Sequence, residues 1–175
     1  MSIAFRKAVR ADLDAVAAIY SRIHDEEEAG RAVIGWIRGI YPERATAEAA
    51  LQRGDLYVED LDGTIVGTAI INAIQVPEYA QAPWRYDVPE NQVCVLHTLV
   101  IDPLCKGKGL GKAFVAFYEQ TAKAQGRPYL RMDTNARNTA ARALYKSLGY
   151  WETAVLPCNF NGIPGVRLVT LEKKI

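Results

Sequence analysis

A glycine-rich turn between an apolar run and an amphipathic segment constrains this chain more than any other feature. Residues 93–101 are almost entirely apolar, which predicts a central strand buried on both faces. The glycine-rich turn follows at once, and residues 109–125 then place apolar side chains at helical spacing. A strand that leads through glycines into a helix predicts an α/β architecture with a ligand site at the start of that helix.

The turn has the chemistry of an anion site. The first N–H groups of a helix have no partner within the helix, and the positive end of the helix dipole adds to them. Glycine lets the backbone approach an anion, and the lysines add positive charge; the turn reads Lys106, Gly107, Lys108, Gly109, Leu110, Gly111, Lys112. The alternative is a connection without a ligand, but each glycine costs about 1 kcal/mol in a helix. We therefore interpret residues 106–112 as a phosphate-binding turn.

Two well-known phosphate loops do not fit the spacing. A Walker A loop that ends at Gly111-Lys112 would need glycine at position 106 and a hydroxyl at 113, where the chain has Lys106 and Ala113. A dinucleotide fingerprint that uses Gly107 and Gly109 would need a third glycine where Lys112 stands. That fingerprint also belongs to the first strand–helix unit of its fold, whereas this turn comes late in the chain.

The remaining segments predict hairpin-linked strands first and a parallel crossover later, in a single domain over residues 1–175. Helices are predicted after Asp12 as cap, around residues 33–37, from Thr46 as cap to Gly54, and over 138–148. Strands are predicted near residues 3–5, 56–58, 65–74, 93–101, 129–134, 151–156 and 166–172, with a hairpin turn at Asp62-Gly63. Residues 77–91 form a long loop of the kind that is usually functional or mobile. The fold class is α/β, with a mixed sheet flanked by helices.

Composition excludes several classes of protein. The 175 residues are 50% hydrophobic and carry a net charge of +1, so neither a disordered chain nor a strongly basic nucleic-acid binder is expected. The three cysteines, Cys94, Cys105 and Cys158, have no metal-ligand or disulfide-framework spacing. No apolar run is long enough to span a bilayer, and the first residues lack a signal-peptide core. We expect a cytoplasmic protein without a bound metal.

Two motifs together resemble the GNAT superfamily of acyl-CoA-dependent N-acetyltransferases. The pyrophosphate loop of that family reads Gln/Arg-x-x-Gly-x-Gly/Ala, and residues 106–111 match it except that Lys106 replaces the first residue. Residues 138–150, Asn-Thr-Ala-Ala-Arg-Ala-Leu-Tyr-Lys-Ser-Leu-Gly-Tyr, are similar to the family's late helix. The resemblance implies a GNAT-like fold with a mostly antiparallel sheet, and acetyl-CoA as co-substrate.

The resemblance also implies cofactor contacts. In the family the fourth and fifth strands splay apart and the pantetheine arm bonds the fourth strand, which implies Leu99, Val100 and Ile101 in this chain. An N–H near Val100 would then polarise the thioester carbonyl. Asn138 matches the cofactor-contacting asparagine of the family, although an N-cap role alone would also explain it.

Two residues are candidates for proton transfer. Tyr145 stands where relatives carry the tyrosine near the cofactor sulfur, which implies a general acid; helical periodicity alone favours a core tyrosine instead. His97 lies in the central strand where relatives often have a glutamate or histidine that faces the amine. A lone histidine in an apolar strand is otherwise more often a satisfied core residue.

The acceptor site is less marked in the sequence. An acidic run at 25–28, which includes Glu28, could attract a cationic amine, but a solvated helix end explains it as well. Aromatic residues in the family's variable region could line a pocket or pack in the core; they include Trp36, Tyr41 and Trp84. The predicted function is direct transfer of an acetyl group to a primary amine, and the alternative is a noncatalytic acyl-CoA sensor. A small-molecule or peptide amine and a second copy in a homodimer are the expected partners, without nucleic acid or membrane.

Overall fold

Within residues 2–175, which the computed structural model describes, seven strands form one sheet and four α-helices pack on it. The strands are β1 (Ile3–Lys7), β2 (Leu56–Leu61), β3 (Thr64–Asn72), β4 (Val93–Ile101), β5 (Tyr129–Asn135), β6 (Trp151–Phe160) and β7 (Ile163–Lys174). The helices are α1 (Leu13–Glu28), α2 (Arg44–Arg53), α3 (Leu110–Ala124) and α4 (Thr139–Ser147). The spatial order is β1-β2-β3-β4-β5-β7-β6, and only β4 and β5 pair in parallel. The predicted mixed, mostly antiparallel sheet is confirmed.

The helices cover both faces because alternate residues of the central strands point in opposite directions. On one face, Val16 and Ile19 of α1 pack with the interior side chains of β2, β3 and β4. On the other, Phe114 and Tyr118 of α3 form the larger core cluster together with Tyr145 of α4. The turn at Asp62 and Gly63 joins β2 to β3, and both residues have positive φ angles, as the sequence predicts for a two-residue hairpin. None of the helices in residues 2–175 has the length and apolar character that crossing a membrane demands.

The helix predicted around residues 33–37 does not form. The carboxylate of Glu27 accepts hydrogen bonds from the backbone N–H groups of Ile34 at 2.6 Å and Gly35 at 2.9 Å. A helix would need those N–H groups for its own carbonyls, and Gly30, Gly35 and Gly39 all have positive φ angles that a right-handed helix excludes. The prediction was wrong because a side chain of α1 takes over these backbone donors.

Two predicted helix caps also differ. Asp12 does not cap α1 through its side chain; its carboxylate accepts hydrogen bonds from Arg6 and from the backbone N–H of Val9 instead. Helix α2 begins two residues before Thr46, whose hydroxyl accepts a hydrogen bond from the backbone N–H of Glu43. The helix ends at Gly54 in the left-handed conformation, as predicted.

The sheet opens between its two parallel strands. Pairing of β4 with β5 stops at Leu96 and Met132, whereas β4 continues to Ile101 and β5 continues to Asn135 beside β7. A bulge in β4, where Thr98 has a φ of 51°, accompanies this divergence. The sheet therefore contains a gap that is open along the second half of β4.

Candidate active site

A cavity of about 210 Å³ occupies the gap between β4 and β5. Its walls come from the second half of β4, the end of β5, the start of α4 and the segment that follows α1. Eight residues singled out in the sequence line it: His97, Leu99, Val100, Ile101, Asn138, Tyr145, Trp36 and Tyr41. The fold thus brings these eight residues to one place, although Trp36 and Tyr145 lie more than 100 residues apart in the chain.

The glycine-rich turn leads directly from this cavity into α3. Among residues 2–175, the backbone N–H groups of residues 107–112 have no hydrogen-bond acceptor. Gly107 and Gly109 have φ angles of 84° and 74°, a conformation that glycine adopts without strain. Lys106, Lys108 and Lys112 are exposed around these donors. The turn can therefore present a row of amides and positive charge to an anion.

At two positions of the turn, 110 and 111, the side-chain direction is toward the protein interior. The side chain of Leu110 is buried in the core, so only its backbone N–H is available to a ligand. A Cβ atom at Gly111 would contact Leu144 at 3.6 Å and Ile101 at 3.7 Å. It would therefore point toward these two side chains, at ordinary van der Waals distances.

An ion pair holds the start of the turn against α1. Arg22 donates from Nε and Nη2 to the two carboxylate oxygens of Asp102, at 2.9 Å and 2.6 Å. Asp102 is almost fully buried, and it also accepts a hydrogen bond from the backbone N–H of Leu104 at 3.0 Å. A two-pronged ion pair on a buried carboxylate fixes the direction in which the chain leaves β4.

Tyr145 lies on the buried face of α4 with its ring against Tyr150. It lines the cavity, and its hydroxyl has no hydrogen-bond partner among residues 2–175. Burial raises the pKa of Tyr145, and the negative charge of Asp133 raises it further. The hydroxyl therefore keeps its proton through the physiological range and is available as a donor. Asn138 caps α4 by accepting a hydrogen bond from the backbone N–H of Ala141 at 3.1 Å.

Sequence reasoning missed Asp133, which lies on β5 and lines the same cavity. Its Oδ2 accepts a hydrogen bond of 2.7 Å from the hydroxyl of Tyr79. Desolvation raises the pKa of Asp133 to about 6, although the hydrogen bond from Tyr79 opposes this rise. Such a carboxylate is ionised at neutral pH and still basic enough to accept a proton.

His97 lines the cavity but has a hydrogen-bond partner of its own. Its Nε2–H donates to Oδ1 of Asn72 at 2.8 Å, which assigns the proton to that nitrogen. Burial lowers the pKa of His97 to about 4. The imidazole is therefore neutral at physiological pH and a weak base. The sequence-based expectation assumed the ordinary histidine pKa, which is higher.

The predicted acceptor residues divide into two groups. Trp36 and Tyr41 pack edge to face with ring centroids 6.0 Å apart, and both line the cavity; the Tyr41 hydroxyl is hydrogen-bonded to Thr98. Glu28 and Trp84 do not line it. Glu28 is bound by Arg38, and Trp84 lies beneath the guanidinium of Arg131, whose Cζ is 4.3 Å from the ring centroid.

The acidic run that includes Glu28 is neutralised within the protein. Arg38 bridges Asp25 at 2.5 Å and Glu28 at 2.8 Å, and Arg31 pairs with Glu26 at 2.8 Å. Together with the Glu27 contacts described above, these bonds shape the irregular segment that forms one cavity wall. The acidic residues 25–28 thus hold residues 31–38 in place, and little of their negative charge stays unpaired for a cationic amine.

Burial disfavours the thiolate form of two of the cysteines. Burial raises the pKa of Cys94 to about 12, and burial also raises that of Cys158. In the part of the chain from Ser2 to Ile175, no group of three or more His, Cys, Asp or Glu side chains could hold a metal ion.

The open sheet, the amide-lined turn and the cavity define an α/β protein with a candidate anion site beside a cavity between two strands. The model of the Acetyltransferase (GNAT) family matches residues 20–150, which include the gap, the turn and α4. The chain belongs to the GNAT family of acetyltransferases, and proteins of this family use acetyl-CoA.

Comparisons with individual proteins agree with this assignment. A curated relative, an uncharacterised N-acetyltransferase of Methanocaldococcus jannaschii, is 29% identical over 73 residues, which cover 42% of this chain and 32% of that protein. A GNAT-family acetyltransferase from Streptococcus agalactiae has a TM-score of 0.82 at 20% identity, over 99% of this chain and 95% of that one. A Salmonella typhimurium protein solved with its cofactor acetyl-CoA has a TM-score of 0.71 at 18% identity, over 99% and 94% of the two chains. At these identities the structural likenesses establish the fold.

Proposed function

We propose that the protein transfers an acetyl group from acetyl-CoA to a primary amine, directly within a ternary complex. The observation that carries this proposal is that one cavity, beside a row of unpaired amides, holds two proton-handling groups, Asp133 and Tyr145. A protein that only bound acyl-CoA would need the amides but not this pair.

The cofactor would bind along the open half of β4. Its pyrophosphate would accept hydrogen bonds from the amides of residues 107–112, near the lysines at 106, 108 and 112. Its pantetheine arm would lie against Leu99, Val100 and Ile101, on the side of β4 that no longer pairs with β5. An N–H group near Val100 would polarise the thioester carbonyl, and Asn138 would contact the arm from α4.

The reaction needs two proton transfers. We assign the acceptance of the amine proton to Asp133, because its carboxylate is ionised at neutral pH and faces the cavity. His97 is the second candidate for this role, directly or through water, and its low pKa disfavours it. Tyr145 would donate its proton to the departing thiolate of CoA. A ping-pong route through a cysteine is disfavoured, since burial keeps Cys94 protonated.

The amine would enter along the wall formed by residues 31–41, beside the packed rings of Trp36 and Tyr41. Proteins of similar fold have different acceptors in their names: one, from Brucella melitensis, is a ribosomal-protein-alanine N-acetyltransferase, with a TM-score of 0.72. A peptide with N-terminal alanine therefore belongs in the acceptor panel with small amines, polyamines, aminoglycosides and amino acids.

The test measures thiol release from acetyl-CoA with each acceptor, for the wild type and for Tyr145→Phe. We expect turnover with one acceptor class and a kcat about 10²-fold lower in Tyr145→Phe, with calorimetry giving an unchanged affinity for acetyl-CoA. Tight binding of acetyl-CoA without thiol release in any class would favour the noncatalytic sensor. An unchanged kcat in Tyr145→Phe, with chemistry rate-limiting, would return Tyr145 to a packing role.

A further inference from the structure

The long loop between β3 and β4 supplies a hydrogen-bond donor, Tyr79, to the carboxylate of Asp133. Tyr79 is almost fully buried, 2% exposed, and its hydroxyl donates to Oδ2 of Asp133 at 2.7 Å. The two residues lie 54 positions apart, and Asp133 has no other hydrogen-bond partner among residues 2–175. The orientation of this carboxylate thus depends on a loop that belongs to neither of the two sequence motifs.

The surrounding packing fixes the Tyr79 ring independently of the cavity. The indole of Trp84 packs edge to face on it, with ring centroids 5.1 Å apart, and donates from Nε1 to the backbone oxygen of Tyr79 at 2.9 Å. The guanidinium of Arg131 covers the other side of that indole at 4.3 Å. Arg131 also donates to Gln75 and to the backbone oxygen of Tyr86, so the two ends of the loop are held on the sheet.

We propose that Tyr79 is a positioning residue, which holds the carboxylate of Asp133 in its ionised form with Oδ1 directed to the cavity. This proposal rests on the assignment of Asp133 as proton acceptor. A hydrogen bond to a carboxylate stabilises its charged form, and Tyr79 remains a donor throughout because burial raises its pKa well above the ordinary value.

The other charged and titratable groups that face Asp133 do not replace this contact. They are Glu78 on the same loop, Tyr41 on the wall of residues 31–41, Tyr145 on α4 and Cys158 on β6. The charge of Glu78 raises the pKa of Asp133, which opposes the effect of Tyr79. Removal of the Tyr79 hydroxyl therefore leaves the carboxylate without a hydrogen bond that favours its charged form.

The direct test is the carboxyl pKa of Asp133, measured by carbon NMR in the wild type and in Tyr79→Phe. Loss of one hydrogen bond to a charged oxygen should raise this pKa by about one to two units, from about 6 in the wild type. Trp84→Phe is the matched control, because it weakens the loop without removing the Tyr79 hydroxyl, and should leave the pKa unchanged. An Asp133 pKa that is the same in Tyr79→Phe as in the wild type would overturn the proposal.

Kinetics then separate the proposal from the assignment on which it rests. In Tyr79→Phe the acidic limb of the kcat/KM profile should move up with the carboxyl pKa, and in an Asp133→Asn background the same substitution should have no further effect. Additive losses in the double variant would indicate a merely structural role and overturn the proposal. A wild-type limb that does not coincide with the NMR pKa would instead refute Asp133 as the proton acceptor.

Discussion

Replacement of Asp133 by asparagine separates the two candidates for proton acceptance. The substitution keeps the shape of the side chain and removes its basicity. With a pKa of about 6 for Asp133, the carboxylate is ionised in about 9% of molecules at pH 5 and about 91% at pH 7. If this group takes the amine proton, its contribution falls about tenfold between pH 7 and pH 5. With a pKa of about 4, His97 is neutral over that whole range, and its contribution changes by only about a tenth.

The assay is kcat/KM against pH for the wild type, Asp133→Asn and His97→Gln, with chemistry rate-limiting. The amine also titrates, but the ratio of wild type to variant at each pH cancels that ionisation because it is common to both proteins. We expect the wild-type to Asp133→Asn ratio to be about 10² or more at pH 7 and about tenfold smaller at pH 5. A ratio that is flat from pH 5 to pH 7 would refute the reasoning. A ratio to His97→Gln that changes only near pH 4 would transfer the role to His97.

Two further predictions concern binding and stability. Gly109→Ala should weaken acetyl-CoA binding by about five- to thirtyfold in calorimetry, because a residue with a Cβ adopts the left-handed backbone at a cost of about 1–2 kcal/mol. The control is Gly111→Ala, because the backbone at Gly111 is helical. Equal losses of affinity in the two variants would contradict this account. Glu59 is fully buried, and its carboxylate has no hydrogen-bond partner among residues 2–175. Burial raises the pKa of Glu59 from 4.5 to about 7, so this group ionises at a lower pH in the unfolded chain than in the folded protein. The free energy of unfolding should therefore fall by about 3 kcal/mol between about pH 4 and pH 7. Denaturant titrations of Glu59→Gln should lack that fall, and an identical slope in both proteins would exclude this origin.

The sequence predicts well what depends on local spacing. The apolar runs of β2 and β3, the turn at Asp62-Gly63 and the helical period of α3 lead to the observed elements because each is decided by neighbouring residues. The glycine-rich turn is also predicted from the sequence, since the positive φ angles of Gly107 and Gly109 favour glycine.

The features that the sequence does not reveal depend on partners distant in the chain. Asp133 lies in a strand with ordinary periodicity, and only the fold places it in the cavity beside Tyr79. The burial that lowers the pKa of His97 likewise comes from packing, so the reference value was the wrong guide. The helix expected near residue 34 does not form because Glu27 accepts hydrogen bonds from backbone N–H groups of that segment. Hydrophobic periodicity carries no information about such a contact.

The anchoring of the loop between β3 and β4 has a consequence for protein engineering. Arg131 of β5 binds this loop at Gln75 and Tyr86, and Glu172 of β7 accepts a hydrogen bond from the backbone N–H of Arg85. Shortening the loop would leave the buried charges of Arg131 and Glu172 without these partners. Deletions in the loop should therefore lower the yield of folded protein. The wall of residues 31–41, which rests on exposed ion pairs at Arg38, is the better place for grafted or randomised sequence when a new acceptor is sought.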